Sequence, residues 1–550
     1  MVSIRELFGR SVGKRVQEMM SVSLPSGESA RPVDGGFGVA PTDGWSQPEW
    51  SGATALGDAC LSALSEMDWS KCPVSGAVLP KGDSETLDGA GWIDARKASR
   101  QELAFLLARC GADTGNTDYL DGACRAIDSW LDYDRCNVGI GWVHTTDVAV
   151  RVIRWGLILG WVSDEIDPSL RRRLAGAVKN HAEFLKSKLS LSPGDEDHRL
   201  LVQAAGLVVA GLMWPELPGA GESWSRGVAI IGRYLPKAVL PDGAPASGDT
   251  ELHGLVLQSC LVARGFCMGR GISFPSESEA SLVRGCWFLR VVTGGASDFA
   301  IHADSIGELL PVWDGPTGES VWAAVVGLGL AGGAAEAENT EPDRQGSLLA
   351  GVPVHKCGKL ELSDGFEPFG FREGGWAVIY GDMSGRSLKL VAPVSLSSMG
   401  LLVQPKWSID STDVLVSPEF SKSVQPGGGT ILSLRREPRK VVLSTLSSCS
   451  IGEMRRTMKL QGSRLEIADK YQGGGDIITV WNIGAEWTGW ENTDKGWIST
   501  CGDRSLILKL YAGMEWSHEF RTGKSGPLNV FVGRGRISSG EKVVSRFELR

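Results

Sequence analysis

Two histidines and a neighbouring carboxylate are the side chains best suited to move a proton. His198 and His253 each lie in a stretch whose apolar spacing predicts a helix, and Asp197 directly precedes His198. Histidine can act as a general acid or base because its ordinary pKa is close to neutrality. A histidine at a helix start or on a helix face can also simply bind a neighbouring loop. The sequence leaves both interpretations open.

The acidic run Asp195-Glu196-Asp197 permits a second chemistry. Two carboxylates with separated pKa values can act as acid and base on a glycosidic bond. Such a run is also typical of a solvated helix start, where negative charge interacts favourably with the helix dipole.

A cation and two indoles are spaced to share one surface. Arg151 and Trp155 lie four residues apart on a predicted helix, and Trp142 precedes them. In a substrate cleft, indoles would stack on sugar rings while the guanidinium binds hydroxyl or carboxylate groups. The alternative is core packing, with Arg151 paired to Asp147 four residues earlier. His302, in a later segment, is a further candidate for the cleft.

Four tryptophans lie close together near the C-terminal end: Trp481, Trp487, Trp490 and Trp497. They could form a carbohydrate-binding surface. Sheet cores and loops use tryptophan for packing as well.

Composition indicates an ordinary globular protein with more than one core. The chain has 550 residues, and single cores stop growing at about 250–300 residues. Its net charge of −9 disfavours a general nucleic-acid binder, which would carry a basic face. Charge-free apolar stretches at 200–215 and 321–335 are shorter than the ~20 residues of a membrane span. We therefore expect neither nucleic acid nor a membrane span among the interactions of this chain.

Cysteine usage favours a reducing compartment. The eleven cysteines are an odd number, no Cys-x-x-Cys occurs, and most lie in apolar surroundings that predict free buried thiols.

No metal-ligand spacing is visible, so we predict no metal and no cofactor. The first residues contain early charges and no apolar core of a signal peptide, which predicts a cytoplasmic location.

Apolar periodicity changes along the chain. Spacings of three and four residues predict helices at 98–110, 117–131, 146–162, 169–189, 198–213, 222–235, 250–266, 277–292 and 319–330. Alternation predicts strands at 376–380, 387–391, 464–468, 476–481 and 506–511, with turns at 425–429 and 472–475. Helical hairpins of similar length can close into an α/α toroid or stack as an open solenoid. The strand-rich half predicts an antiparallel sandwich.

Four stretches resemble motifs of heparinase II/III-type polysaccharide lyases in order and spacing. They are the pattern Trp-x4-Asp-x3-Arg-x3-Trp from Trp142 to Trp155, the helix start Asp197-His198-Arg199-Leu200-Leu201, the turn Leu240-Pro241-Asp242-Gly243 followed by Leu252 and His253, and Phe371-Arg372-Glu373-Gly374-Gly375-Trp376.

The resemblance implies a fold: an incomplete (α/α) toroid of helical hairpins followed by an antiparallel β-sandwich. The implied domains are a partly irregular N-terminal extension at 1–90, the toroid at 91–335, a linker at 336–350 and the sandwich at 351–550.

The resemblance also implies β-elimination on uronic-acid polymers. In this family an Asn or His neutralises the uronate carboxylate, a His or Tyr removes the C5 proton, and a Tyr protonates the leaving oxygen. His198 falls on the family's His.

Three positions depart from the family. Asp197 stands where Asn is expected and, if ionised, would repel a uronate by roughly 1–4 kcal/mol. Leu252 replaces the catalytic Tyr. The expected His-x-His-Ala-Asp motif is missing near 395–410, where the chain reads Ser395-Leu396-Ser397-Ser398-Met399-Gly400-Leu401.

The sequence therefore predicts a divergent carbohydrate-active protein that acts on a uronic-acid-containing or related glycan by β-elimination. His198, His253 and Asp197 are the predicted catalytic residues. The predicted substrate-binding residues are Trp142, Arg151, Trp155 and His302. The alternatives are a non-catalytic glycan-binding or scaffold protein, or a glycan hydrolase, on the same fold.

Overall fold

A computed structural model describes two stretches of the chain. The first covers residues 53–71, 96–162, 166–189, 197–246 and 250–293, with gaps at 97, 135 and 137–138. The second covers the strands between 366 and 549, with the turns at 472–474, 494–495, 510–514 and 538–541.

The first stretch is helical. Its helices are α1 (Ala53–Ser65), α2 (Glu102–Thr114), α3 (Thr117–Tyr133), α4 (Thr145–Val162), α5 (Pro168–Ser187), α6 (Asp197–Met213), α7 (Ala220–Ala238), α8 (Thr250–Gly269) and α9 (Ser276–Thr293). Each helix predicted between 98 and 292 overlaps one of these, whereas 319–330 lies outside the described residues. The largest difference is at α2, which begins at Glu102 because Gln101 adopts a left-handed conformation with φ 61°.

Local sequence signals explain several helix ends. The Asn116 side chain accepts a hydrogen bond from the backbone N–H of Asp118 (3.0 Å) and caps α3. Asp167 caps α5 through the N–H of Ser169 (2.7 Å), and Pro168 occupies the first turn, where its missing N–H is tolerated.

Two glycines let α6 and α7 pack with their backbones close together. A Cβ added to Gly211 would lie 2.5 Å from the Ala220 carbonyl oxygen. A Cβ added to Gly227 would lie 2.5 Å from the Ala204 carbonyl oxygen. The helix pair therefore depends on the absence of a side chain at both positions.

The second stretch is built from strands. They are β1 (Phe366–Phe371), β2 (Trp376–Asp382), β3 (Ser387–Pro393), β4 (Leu396–Ser397), β5 (Leu401–Leu402), β6 (Lys406–Ile409), β7 (Thr412–Asp413), β8 (Pro426–Gly427), β9 (Gly429–Glu437), β10 (Lys440–Cys449), β11 (Gly452–Gln461), β12 (Arg464–Tyr471), β13 (Gly475–Gly484), β14 (Thr488–Thr493), β15 (Gly496–Cys501), β16 (Arg504–Lys509), β17 (Glu515–Gly523), β18 (Gly526–Ile537) and β19 (Lys542–Leu549).

The strands form largely antiparallel sheets. The largest has the order β14-β15-β16-β19-β12-β11-β10-β9, and two others have the orders β17-β18-β13-β5 and β1-β2-β3-β6-β7. All five predicted strands are present. The turn predicted at 425–429 is partly wrong, because Pro426 and Gly427 pair with β4 in a two-residue ladder and Gly429 already opens β9.

A buried ion pair joins β11 and β12. The Arg456 guanidinium donates to both carboxylate oxygens of Asp469 at 2.7 and 2.8 Å, and both residues are buried. The pair lies at directly opposed register positions. Burial would lower the pKa of Arg456, but the charge and hydrogen bonds of Asp469, together with Tyr471, outweigh burial and raise it.

The chain is thus a multidomain protein with a helical first region and an antiparallel-sheet second region. Residues 53–238 and 252–283 belong to one compact unit; the strands, 239–246 and the end of α9 from Arg284 onward belong to a second. The predicted domain boundaries stay predictions, and 72–95 and 294–365 lie outside the described residues. Among the described helices, none has the length and apolarity needed to cross a bilayer.

The close packing of α6 and α7 predicts the effect of one added methyl group. Gly227→Ala should destabilise the protein by about 1–3 kcal/mol, because overpacking outweighs the gain in helix propensity. The control is Gly176→Ala, at an exposed α5 position with no heavy atom within 4 Å of the added Cβ. That variant should be more stable than wild type by about 0.5–1 kcal/mol. Urea unfolding followed by circular dichroism measures both; equal stabilisation by the two substitutions would contradict the close approach.

Candidate functional site

The Arg151 guanidinium is fully buried and joins three segments of the helical unit. It donates to the Ser99 carbonyl oxygen (2.8 Å), to the Gly141 carbonyl oxygen (3.1 Å) and to His181 Nε2 (2.9 Å). It therefore connects the segment before α2, the turn before α4, and α5.

Three indoles surround this cation. The Arg151 guanidinium carbon lies 4.5 Å from the ring centroid of Trp130, 5.4 Å from that of Trp142 and 6.0 Å from that of Trp155. The negative faces of the rings stabilise a desolvated cation. Burial nevertheless lowers the pKa of Arg151 to about 10, and the charges of Asp134 and Asp147 oppose this shift. Arg151 remains a cation at neutral pH.

His181 serves this cluster as a neutral hydrogen-bond acceptor. Its Nδ1 lies 2.7 Å from the Ala177 carbonyl oxygen, which requires the proton on Nδ1 and leaves the Nε2 lone pair for the Arg151 N–H. Burial, followed by the Arg151 charge, lowers the pKa of His181 well below its ordinary value. A protonated His181 would lose the bond to Arg151 and place two cations in contact.

Trp142 fixes the turn that precedes α4. Its indole N–H donates to Asp134 Oδ1 (2.8 Å), and its ring contacts those of His181 and Phe184 at centroid distances of 4.3 and 5.0 Å. Burial raises the pKa of Asp134, against the effects of Arg151 and this hydrogen bond. The turn is consequently held from both the α3 and the α5 side.

Asp147, in the first turn of α4, binds two arginines. Arg96 donates to its two carboxylate oxygens at 2.7 and 2.8 Å, and Arg100 Nε donates to Oδ1 at 2.7 Å. Burial would raise the pKa of Asp147, but the charges and hydrogen bonds of Arg100 and Arg96 outweigh burial and lower it. Of the two alternatives that the sequence left open for Arg151, core packing is found, but without the pairing to Asp147: the hydrogen-bond partners of Arg151 are carbonyl groups and a histidine.

His144 and Arg199 lie near Arg96 and Arg100, with His144 half-buried and Arg199 exposed to solvent. Burial lowers the pKa of half-buried His144, and the nearby charges of Arg96, Arg199 and Arg100 lower it further, against Asp147. Arg199 is exposed, in the first turn of α6. The Gln203 amide donates to the Thr145 hydroxyl and so connects the beginnings of α6 and α4. We call Arg96, Arg100, His144 and Arg199 the basic cluster.

The basic cluster combines two chemical capacities. The exposed guanidinium of Arg199 suits a carboxylate or sulfate, which arginine binds through paired hydrogen bonds, whereas Arg96 and Arg100 are already bound to Asp147. The cluster's histidine is neutral at pH 7 because its pKa is lowered, and a neutral imidazole can accept a proton. A stabilised anion beside a proton acceptor is the arrangement needed to remove a proton next to a carboxylate.

The predicted catalytic residues lie on two helices. Asp197 and His198 open α6, with His198 buried next to Arg199 of the basic cluster. His253 is buried on α8. Both histidines are as buried as Trp142, so their catalytic roles stay predictions without support from their exposure in this conformation.

The predicted substrate-binding residues lie mostly around His181. Trp142 is buried, and Arg151 and Trp155 have no exposed surface. Such residues position the turn before α4 rather than offer a surface to a ligand in this conformation, so their binding role stays a prediction without support from their placement. His302 lies outside the described residues.

Sequence reasoning missed Arg96, Arg100 and His144, and it treated Arg199 only as part of a motif. The available signal was their position just before or within the first turn of a helix. Which charges meet depends on packing between helices whose sequence separation reaches about 50 residues, as in Arg96 with Asp147. In the part of the chain that is described, no group of three or more His, Cys, Asp or Glu side chains could hold a metal ion.

No protein-family model and no curated protein matches the chain. Solved structures do. The crystal structure of heparinase III is similar with a TM-score of 0.61 and 11% identity, covering 99% of this chain and 92% of that one. A heparan sulfate lyase from Pedobacter heparinus gives a TM-score of 0.45 at 12% identity, covering 98% and 87%. A chondroitin AC lyase from Streptomyces coelicolor A3, in complex with chondroitin sulphate, gives 0.42 at 10% identity, covering 98% and 82%.

The neutral state of His181 predicts a pH dependence of stability. The pKa of His181 is about 6.5 in the unfolded chain and lower in the folded one, so its contribution is complete above pH ~6.5 and is lost as pH falls. Between pH 7.5 and 5, wild type should lose up to about 1.4 kcal/mol per pH unit relative to His181→Gln, which keeps an acceptor but cannot titrate. Urea unfolding followed by tryptophan fluorescence gives this difference. Parallel pH profiles for the two proteins would contradict a buried neutral His181.

Proposed function

We propose, from the premise that the chain has a heparinase-type polysaccharide-lyase fold, that it binds an acidic glycan and cleaves it by β-elimination. The substrate class is a polymer or oligomer that contains uronic acid. In this proposal the helical region forms an incomplete (α/α) toroid, and the strand region forms the accompanying sandwich. The basic cluster is the single observation that carries the proposed chemistry.

The basic cluster matches the charge that develops in this reaction. Removing the C5 proton puts negative charge on the uronate carboxylate, after which the C4–O4 bond breaks, a C4–C5 double bond forms and the leaving oxygen takes a proton. Cations placed before the reaction lower the cost of this charge. Arg96 is held rigidly by Asp147 (2.7 and 2.8 Å), whereas Arg199 is exposed and able to meet a ligand.

The cluster also offers a replacement for a missing family residue. Leu252 stands at the position of the family's tyrosine and cannot transfer a proton. His144 is half-buried, and Arg96 and Arg199 help to keep it neutral at pH 7. We assign His144, with His198 and His253, to the proton transfers of the proposed reaction.

Asp197 is the least favourable residue for this assignment. An ionised carboxylate at the start of α6 would oppose a uronate at the position where the family has a neutral amide. If Asp197 instead acts as an acid, hydrolysis of a less acidic glycan becomes the more natural reaction.

A second candidate is a non-catalytic glycan-binding protein on the same fold. Two observations favour it: Leu252 replaces the proton-transferring tyrosine, and the sandwich histidine motif is missing from residues 395–410. A basic cluster that binds anions without chemistry would satisfy this alternative equally well.

Elimination can be followed by the ultraviolet absorbance of the C4–C5 double bond. With a panel of heparan sulfate, chondroitin sulfate and alginate, wild type should produce this absorbance. His198→Ala, His253→Ala and His144→Gln should each lower the rate by roughly 10²–10⁴-fold, because each removes a proton-transfer group. Unchanged glycan affinity in these variants would separate chemistry from binding. A flat trace from folded wild type, with a known lyase active in parallel, would contradict elimination and favour the binding protein.

Binding through the basic cluster should depend on charge. Arg199→Ala should weaken heparan sulfate binding by about fivefold at low salt, and the difference should shrink as salt screens the contact. Arg172→Ala is the matched control, because it removes an equal charge from an exposed position on α5. Affinity electrophoresis at two salt concentrations measures both variants. Equal losses would show that net charge, and not the cluster, governs binding.

A further inference from the structure

A second cluster of aromatic rings occupies the edges of two sheets in the strand unit. Trp490 on β14 and Trp497 on β15 lie at one end of the eight-stranded sheet, and His518 lies on β17, an edge strand of the four-stranded sheet. The ring centroids of Trp490 and Trp497 are 6.0 and 5.8 Å from that of His518. These aromatic side chains therefore bridge the two sheet edges.

The aromatic side chains of this cluster differ in their exposure to solvent. Phe531 on β18 is fully buried; His518 stacks on it at 4.6 Å, and the two indoles approach its edge at 4.8 and 5.4 Å. Trp490, Trp497 and His518 are half-buried. Phe520 shares the face of β17 with His518, two residues away, and is 60% exposed. We call Trp490, Trp497, His518 and Phe520 the aromatic platform.

A buried amide determines which ring nitrogen of His518 carries the proton. Asn529 donates its Nδ2 hydrogen to the Trp487 carbonyl oxygen (2.8 Å), so its Oδ1 faces His518 Nε2 at 3.0 Å. Because Oδ1 can only accept, Nε2 must carry the proton. In the neutral imidazole the Nδ1 lone pair is then an acceptor on a half-exposed aromatic ring.

One polar atom of the platform has no partner among the described residues. The Trp490 indole N–H is buried, and no hydrogen-bond acceptor meets it among the described residues. An unpaired buried N–H is costly, and native structures usually satisfy it. A bound hydroxyl group would supply the acceptor after a small rotation of this half-buried ring.

The chemistry and size of the platform fit a sugar better than a second protein chain. A pyranose has an apolar C–H face that can pack on an aromatic ring and hydroxyl groups that can bind a histidine nitrogen or an indole N–H. Each aromatic side chain has about 150–250 Å² of surface. The exposed parts of these four total at most about 400 Å², no more than half of the ~800 Å² that each partner buries in a stable protein interface.

We propose that the aromatic platform is a second glycan-binding site, in which Trp490 and Trp497 stack on a pyranose ring of a polymer and His518 Nδ1 accepts one of its hydroxyl hydrogens. The choice of a glycan rests on the proposed function, but binding here needs no chemistry at the basic cluster. The site increases affinity for long chains by adding a contact remote in sequence from that cluster.

Chemically desulfated chondroitin is a suitable probe, because fewer charges leave stacking as the main attraction. At about 0.5 M salt, where surface charges are screened, affinity electrophoresis should show that Trp497→Ala and Trp490→Ala each bind the polymer about tenfold more weakly. The matched control is Glu491→Ala, an exposed residue on β14 beside Trp490. It should bind like wild type. Wild-type affinity in both tryptophan variants would overturn the proposal.

Turnover of a short oligosaccharide separates this proposal from the proposed function. A tetrasaccharide cleaved at an unchanged rate by Trp497→Ala, together with lost polymer affinity, supports both. Lost polymer affinity without any elimination by wild type supports the platform and contradicts the lyase. A change from monomer to dimer, or the reverse, in the tryptophan variants would overturn the sugar site in favour of self-association.

Indole oxidation tests the wild-type protein without a substitution. N-Bromosuccinimide oxidation mapped by peptide mass spectrometry should show that the desulfated polymer protects Trp490 and Trp497. Trp161, a half-buried indole of the helical unit, should be oxidised equally with and without polymer. Equal oxidation of Trp490 and Trp497 in both conditions would overturn the proposal even if the alanine variants fail to fold.

Discussion

A buried guanidinium that no carboxylate of the described residues contacts directly is the constraint on which the helical unit depends. Arg151 has carbonyl oxygens, one neutral histidine nitrogen and three indole faces as its described partners. Desolvating a cation is expensive, and these groups repay the cost only if they are all correctly placed. The charge consequently specifies the positions of Ser99, Gly141 and His181 more strictly than an apolar side chain would.

The positions of the charges nearer the surface depend on the contacts of Arg151. Ser99 lies next to Arg100 and close to Arg96, and Gly141 lies just before His144, so the contacts of Arg151 fix the backbone on both sides of the basic cluster. Asp147 then orients Arg96 and Arg100. Buried charges thus serve positioning, while Arg199 and half-buried His144 lie closer to solvent. If Arg199 and His144 bind a ligand, they can do so with a fixed geometry because the buried charges hold the surrounding backbone rigid.

The similarity to heparinase III concerns the fold. Similarity extends over 99% of the chain at 11% identity, which supports the architecture and leaves the reaction to be argued from individual side chains. Asp197 and Leu252 alter two positions at which the family carries chemical groups. Arg199 of the basic cluster lies two residues after Asp197, in the first turn of α6. The aromatic platform of the strand unit has the opposite character, with ring faces and a histidine acceptor in place of cations.

The sequence by itself determined the element types, because hydrophobic periodicity and end signals such as Asn116 and Asp167 are local. It also indicated the heparinase-like fold, through short motifs whose order is preserved. Tertiary structure decided which charges meet. Spacing along α4 suggested that Asp147 pairs with Arg151, yet both arginines bound to Asp147 come from the segment before α2. Likewise Trp142 and Trp155 could line a cleft or a core by spacing alone, and the packing of α3 and α5 against α4 buried them. Burial and long-range pairing depend on the arrangement of all the helices, which no local pattern encodes.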